Sequence, residues 1–471
     1  MKRLFKPEVL VGLAGCGLII YLLFVGPFIG VADNGDFLRM MNTIGLNYYD
    51  TAASYADQFF NYSHSRFAYD NLFSGFYPSS QILLVLVPRL IGGLVHGSFF
   101  DIRLLAVVYG LLLLVATWLL VKYNARGSYV TGLLLGAAIL FVFYDIGYLA
   151  YFNSLFGEPV SMVFMLLTFA LGLRLTSQEK PTTKGLTLFF IAILFLVTSK
   201  IQNAPIGIAF ALIFLRFMTL DGERKWRKLA LRFSIAIFLV SIVMYVTAPK
   251  ELKHINLYQT VFFGILNESP DVKGDLQELG LPERLEVLAG TNYFQTDTVI
   301  KQDDPSLVPD FYDRVSHKDV LFFYLKHPGR LIDNMEYAAS NSMAIRPYYL
   351  GNYEKSENKP AGALSYTYSG WSEFKNKHIP HTLGFLTLFY LVYFAGALFQ
   401  YFRSRDVRGR VAGELLMLLG LIGIFSFLVP ILGDGRADIG KHLFLFNVCF
   451  DMMVVVMFGW VVHKLVGIVR R

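Results

Sequence analysis

The sequence predicts an all-α integral membrane protein with about ten transmembrane helices, juxtamembrane helices and a mostly helical cap on the outer face. Three observations lead there. Of the 471 residues, 55% are hydrophobic and only 16% charged, against roughly 25% charged in a soluble domain. The apolar residues are gathered into runs near the ~20 residues that a bilayer core requires. The basic residues stand beside those runs, as topology signals do.

Lys2, Arg3 and Lys6 precede an apolar stretch from Val9 to Ile29. It is long enough to span, and no convincing small-residue cleavage site follows, so it reads as an uncleaved first helix rather than a signal peptide. The expected spans are 8–28, 103–122, 129–149, 158–176, 184–200, 203–219, 230–248, 381–401, 411–431 and 441–463. One more apolar run, 80–97, carries Pro88, Arg89 and a Gly pair. Placing it on the outer surface as an interfacial or re-entrant helix puts every basic loop inside, in accord with the positive-inside rule. Half of the 42 Lys and Arg residues then fall in short inner stretches, whereas residues 29–103 hold only Arg39, Arg66, Arg89 and Arg103. Both termini are expected in the cytoplasm.

The same placement explains the formal charge of +7 without a nucleic-acid partner. Cys16 and Cys449 lie inside apolar runs and suggest neither a disulfide framework nor a metal site. The expected organisation is a transmembrane core over 1–248 with an outer loop at 29–102, an outer segment at 249–380, and C-terminal transmembrane helices over 381–471. The segment 249–380 is polar, with amphipathic stretches such as 318–326. Long structured loops of this kind are usually functional.

Three outer motifs hold the candidate chemistry. Residues 31–41, VADNGDFLRMM, place Asp33 and Asp36 directly after the first span. A carboxylate there can take a proton from an acceptor hydroxyl. It can equally cap the helix that begins at Phe37, or pair with Arg39. Residues 151–161, YFNSLFGEPVS, place Asn153 and Glu158 at the outer start of the fourth span, where Glu158 either suits the helix dipole or faces the first motif as a second carboxylate. Residues 433–442, GDGRADIGKH, supply Arg436, Lys441 and His442. A cation at that depth can clamp a lipid phosphate, or Arg436 can close a local turn with Asp434 or Asp438. Lys200 and Arg346 are further phosphate candidates. Asp33, Asp36 and Glu158 offer oxygen ligands that suit a divalent cation. No GxxxxGK[ST], HExxH or CxxC pattern is present, so ATP hydrolysis and zinc chemistry have no visible support.

The order of these parts resembles the GT-C superfamily of membrane glycosyltransferases. The likeness is carried by Asp33-Asn34-Gly35-Asp36-Phe37 after the first span, by the stretch 76–108 and by the acidic loop from Asn153 to Glu158. More narrowly, DNGDF together with YFNSLFGEP is similar to the WsfD-like hexose transferases of bacterial cell-wall glycan synthesis. The resemblance implies a donor sugar on a polyprenyl phosphate, a cell-wall or secondary glycan acceptor, and an inverting transfer at the outer face of the plasma membrane. It implies Asp36, or Asp33, as the base; the family's paired Asp-Glu is absent here. Two other classes stay open: a lipid-linked glycan flippase, which would place polar residues in mid-span, and a membrane scaffold, in which the Asp residues would be expendable.

Overall fold

The computed structural model of the protein describes residues 5–125 and 128–469. The basic residues Lys2, Arg3, Arg126, Arg470 and Arg471, expected on the inner face, lie outside that range. Among the described residues, seven helices are long and apolar enough to cross a membrane: α1 (Pro7–Phe24), α4 (Arg103–Asn124), α6 (Glu158–Ser177), α9 (Arg224–Val246), α14 (Leu383–Arg403), α15 (Val407–Asp434) and α16 (Phe444–Val469). The helix α5 (Tyr129–Phe143) and the turn Ile146–Asn153, bent by 54° from each other, meet the same criterion only when taken together. The protein is therefore a multi-pass membrane protein. The helix stops at Tyr144 and starts again at Ile146: Asp145 caps the new turn, its side chain accepting the Gly147 amide at 2.7 Å.

The two remaining spans expected from sequence form α7 (Thr183–Ser199), of 17 residues, and α8 (Ile206–Phe217), of 12. The first is as long as its run, 184–200; the second is shorter than 203–219. Between them Ile201–Asn203 form a short 3-10 turn that follows Lys200, and Pro205 directly precedes α8.

Helix α6 is the centre of the bundle, packed against α4, α7, α15 and α16. Its apolar window is 83% buried, against 22–28% for α1, α9, α14 and α16. An all-round apolar helix belongs in such a position. Between membrane helices the hydrophobic effect is weak, and close packing through small residues takes its place. Gly136 on α5 shows this: a Cβ there would stand 2.2 Å from Val11 on α1.

The loop after α1 builds the platform for the site. Helix α2 (Phe37–Ile44) buries Phe37, Met40, Met41 and Ile44 on one stripe. It leads into a three-stranded antiparallel sheet of β1 (Leu46–Tyr48), β2 (Arg66–Tyr69) and β3 (Phe100–Asp101), with Tyr48 opposite Phe67 and Phe67 opposite Phe100. This sheet adds to the all-helical expectation; strands of two to four residues are too short to show an alternating pattern. The apolar run at 80–97 forms α3 (Gln81–Val95), which packs on α2, β3 and α4. Its Leu83, Val87, Leu90 and Leu94 stay exposed along one side, as in a helix lying at an apolar boundary. Arg89 ties it down, donating to the Gly45 and Asp70 carbonyls at 3.2 Å.

Within 249–380 the chain divides between two cores. Residues from Leu257 to Tyr324, including the expected helix α10 (His317–Lys326), bury a cluster of their own. Beyond it, α11 (Pro328–Ser340) leads to residues such as Met343, Ile345, Leu350 and Trp371, which join the main core. Helix α12 (Gly370–His378) closes this part.

Candidate functional site

The segment 29–36 is held in place by the chain near residue 352. Gly30 and Ala32 donate their amides to the Asn352 and Gly351 carbonyls at 2.9 Å, and the Asn352 side chain returns a bond to the Gly30 carbonyl at 2.8 Å. Gly30 must be glycine here, because a Cβ would lie 2.6 Å from the Asn153 carbonyl oxygen. Asn153 itself donates to the Ile29 carbonyl at 2.8 Å, so this candidate positions the first loop.

The two aspartates divide their work. Asp33 is fully buried. Its Oδ1 accepts the Gly35 and Phe37 amides at 2.8 and 3.1 Å, and its Oδ2 accepts the Tyr48 hydroxyl. Burial pushes its carboxyl above the ordinary value, against these hydrogen bonds. Asp33 therefore satisfies the first amides of α2, the capping role that the sequence also offered to Asp36. Asp36, which directly precedes α2, makes no capping bond, and its carboxylate is free for other partners. Oδ1 pairs with Arg39 at 2.9 Å and Oδ2 with Lys441.

Lys441 comes from the turn Ile439–His442, between α15 and α16. Its side chain is 1% exposed. The ammonium contacts Asp36, donates to Asn34 Oδ1 at 3.1 Å and stands 4.2 Å above the Phe156 ring. Asn34 in turn donates to Asp438 Oδ2 at 3.2 Å, and Tyr349 donates its hydroxyl to Asp438 Oδ1. Burial pushes the Asp36 carboxyl up, but the Lys441 and Arg39 charges outweigh it and hold the carboxyl well below the usual range. Burial pulls the Lys441 ammonium down; Asp36, Asp438 and Glu158 reverse this and raise it.

The second pair stands beside the first. Glu158, at the start of α6, is 1% exposed, and its Oε1 accepts from Lys200 Nζ at 2.6 Å. Its Oε2 is buried and has no hydrogen-bond partner. Asp36, Arg39, Tyr77, Glu158 and Lys200 line one narrow cleft of about 40 Å³. The cleft thus gathers two carboxylates with Arg39 and Lys200, and Lys441 stands on the far side of Asp36. This arrangement can bind an anion, and it can hold a carboxylate beside that anion.

Two candidate cations lie elsewhere. Arg436 pairs with Glu268 at 2.7 Å and Asn334 at 2.8 Å rather than with Asp434 or Asp438. Arg346 is 2% exposed and donates to the Ser365 carbonyl at 2.5 Å and to Asn352 at 3.2 Å. His442 sits near the Lys200 turn, with Nδ1 3.4 Å from Gln202 Oε1 and Nε2 2.8 Å from Asp434.

The whole chain, residues 1–471, matches the family described as the YfdI N-terminal transmembrane domain. The chain belongs to that family. No curated protein matches it. Among solved structures, the apo oligosaccharyltransferase of Archaeoglobus fulgidus is similar at 11% identity and a TM-score of 0.39, over 98% of this chain and 52% of that one. The chain thus spans about half the length of that protein.

Sequence reasoning did not single out Asn34, Asp438 and Tyr349 in this YfdI-family chain. Asn34 stood within the quoted motif and Asp438 within the loop, but neither has a chemistry that announces itself without its partner. The oxygen set offered for a divalent cation does not converge. No group of three or more His, Cys, Asp or Glu stands together among the described residues, and Asp36 and Glu158 each face an ammonium.

Proposed function

We propose that the protein is a GT-C-type inverting glycosyltransferase that moves a hexose from a polyprenyl phosphate to a cell-wall or secondary glycan. The site then faces the outside of the plasma membrane, with both termini in the cytoplasm and 249–380 as the outer segment. One observation carries the reading. Asp36 is held without a capping role among Arg39, Lys200 and Lys441, where the membrane helices meet the loop after α1.

The acceptor hydroxyl oxygen attacks the anomeric carbon. The bond from that carbon to the carrier phosphate breaks, and its electron pair leaves on the phosphate oxygen. The hydroxyl proton passes to Asp36. Before the donor arrives Asp36 is a weak base, because its neighbouring cations depress its carboxyl. A donor phosphate beside Lys441 and Lys200 offsets that charge, and the carboxylate regains basicity when the substrate is in place. The same ammonium groups stabilise the charge growing on the leaving phosphate. Glu158 holds Lys200, and Asp33 holds the turn that presents Asp36.

The test is sugar transfer by the full chain in lipid, from radiolabelled polyprenyl-phosphate hexoses to a cell-wall extract. The reading expects transfer by the wild type and none by Asp36→Asn. A wild type that neither transfers nor discharges any donor tried would sink it.

A further inference from the structure

A larger cavity lies next to this cluster. It has a volume of about 660 Å³ and is lined by Tyr337, Asn341, Arg346, Tyr348, Asn376 and Asp438, among others. That size lies within the ~300–1,000 Å³ of sites for small organic ligands. A chain of hydrogen bonds links the cavity wall to the proposed base. Asp438 on its wall bonds to Asn34, Asn34 to Lys441, and Lys441 to Asp36.

Its wall has unspent polar groups. Arg346 is 2% exposed, yet its Nε has no hydrogen-bond partner, and its Nη2 reaches the Glu373 carboxylate only at 3.6 Å. The Nε2 of His381, also on the wall, is buried and unpartnered; Nδ1 donates to the Ser340 carbonyl at 3.2 Å, so Nε2 of the neutral ring is an acceptor. Buried polar groups are normally satisfied, so a free donor and a free acceptor point to a ligand that offers both, as hydroxyl groups do. The charge on the wall argues against an anion. Arg436 is paired with Glu268 at 2.7 Å, Arg346 lies 3.6 Å from Glu373, and Asp438 adds a further carboxylate. Tyr337, Tyr348 and Tyr349 are all partly open to the cavity. Their rings offer an apolar face with a polar edge, and Asn341 and Asn376 add amides that can both donate and accept. Apolar faces alternating with hydroxyl-sized polar groups are the features of a sugar chain.

We infer that this cavity is the subsite for a neutral oligosaccharide acceptor, whose terminal hydroxyl is delivered past Asp438 toward Asp36. The inference rests on the transferase reading for the direction of delivery. The cavity's preference for a neutral glycan does not depend on it.

Saturation-transfer NMR on the full chain in nanodiscs tests this, using neutral and anionic oligosaccharides and inorganic phosphate as probes. Neutral oligosaccharides are expected to bind. Tyr348→Ala and Asn376→Ala should each weaken binding at least tenfold, with melting temperatures unchanged, and Tyr348→Phe should retain it. No binding by any neutral probe, undiminished binding in both alanine variants, or binding of phosphate and anionic probes alone would each overturn the assignment. Sugar transfer to the extract and donor discharge to water, measured beside binding, separate the two readings. Glycan binding with neither transfer nor discharge keeps this subsite and removes the transferase; transfer or discharge without glycan binding does the reverse.

Discussion

Lys375 and Asp451 form an ion pair at 2.6 Å with neither side chain exposed. The pair fastens α12 to the final span α16. Asp451 Oδ2 also accepts from Tyr148 at 2.6 Å and from Trp371 Nε1 at 2.9 Å. Two residues of α12, Trp371 and Ser372, donate their amides to Asp145 at the bend that follows α5. Charge buried at this depth is tolerated only when paired and hydrogen-bonded, and here every group has a partner on another element. The lock fixes the end of the segment that carries Arg346 and Tyr349 to the bundle that carries Glu158.

Lys375→Met is therefore expected to destabilise the protein strongly. It leaves the Asp451 carboxylate buried without its counter-charge, a change that costs about 3–5 kcal/mol. The double variant Lys375→Met with Asp451→Asn removes both charges and should recover most of that loss. Thermal unfolding in detergent, followed by fluorescence, checks both. Equal destabilisation in the single and double variants would mean that the charges do not act as a pair.

Asp33 and Asp36 should separate cleanly. Asp36→Asn keeps a side chain of the same shape at a position with no capping bond, so α2 is expected to form as before. It removes the nearest counter-charge of the buried Lys441 ammonium, so the melting temperature should fall, while transfer by the folded protein falls by about 10²-fold or more, the usual worth of a positioned base. Asp33→Asn weakens the acceptor that holds the Gly35 and Phe37 amides. Its expected cost is about 0.5–2 kcal/mol in stability, with a smaller loss of rate. The reverse pattern would exchange their roles.

Lys200→Met tests the second pair. Donor discharge should fall by about 10²–10³-fold, the scale of losing one preorganised charge at a developing anion. The variant also strands the Glu158 carboxylate, one of whose oxygens already lacks a partner. Adding Glu158→Gln should restore the melting temperature and leave discharge low. If it restored discharge as well, Lys200 would serve only to neutralise Glu158.

Much of the site was legible because ionisable residues beside apolar runs are costly and so stand out. Asp36, Glu158, Lys200 and Lys441 could be named on that ground, and the structure brings them together. Their pairing was not legible: Asp36 and Lys441 are 405 residues apart, and no local pattern links them. Arg346 and Arg436 were read by the same rule, and each is engaged by neighbours outside the cluster. The Lys375–Asp451 lock escaped because a single Asp inside an apolar run looks like an interruption until its partner is known. The expected runs and the helices agree over most of the chain; at 203–219 the helix starts only after Pro205 and is shorter than its run.

The pair of His442 and Asp434 gives stability a defined pH dependence. Burial pulls the His442 imidazole down, but the Asp434 carboxylate at 2.8 Å outweighs it and raises it above its ordinary value. In the unfolded chain the imidazole returns to about 6.5. A raised folded value means that the native state binds the proton more tightly. The contribution is fully present below about 6.5 and is lost as pH rises through the folded value. Two neighbours do not mimic this. Burial lowers His317, so its effect has the opposite sign and falls at lower pH. Asp36, held low by its cations, contributes above the ordinary carboxylate range and loses that only toward strong acid. The melting temperature of the wild type should thus fall more than that of His442→Gln between about pH 6 and about pH 9. Identical pH slopes in the two proteins would show that the imidazole does not change charge in that window.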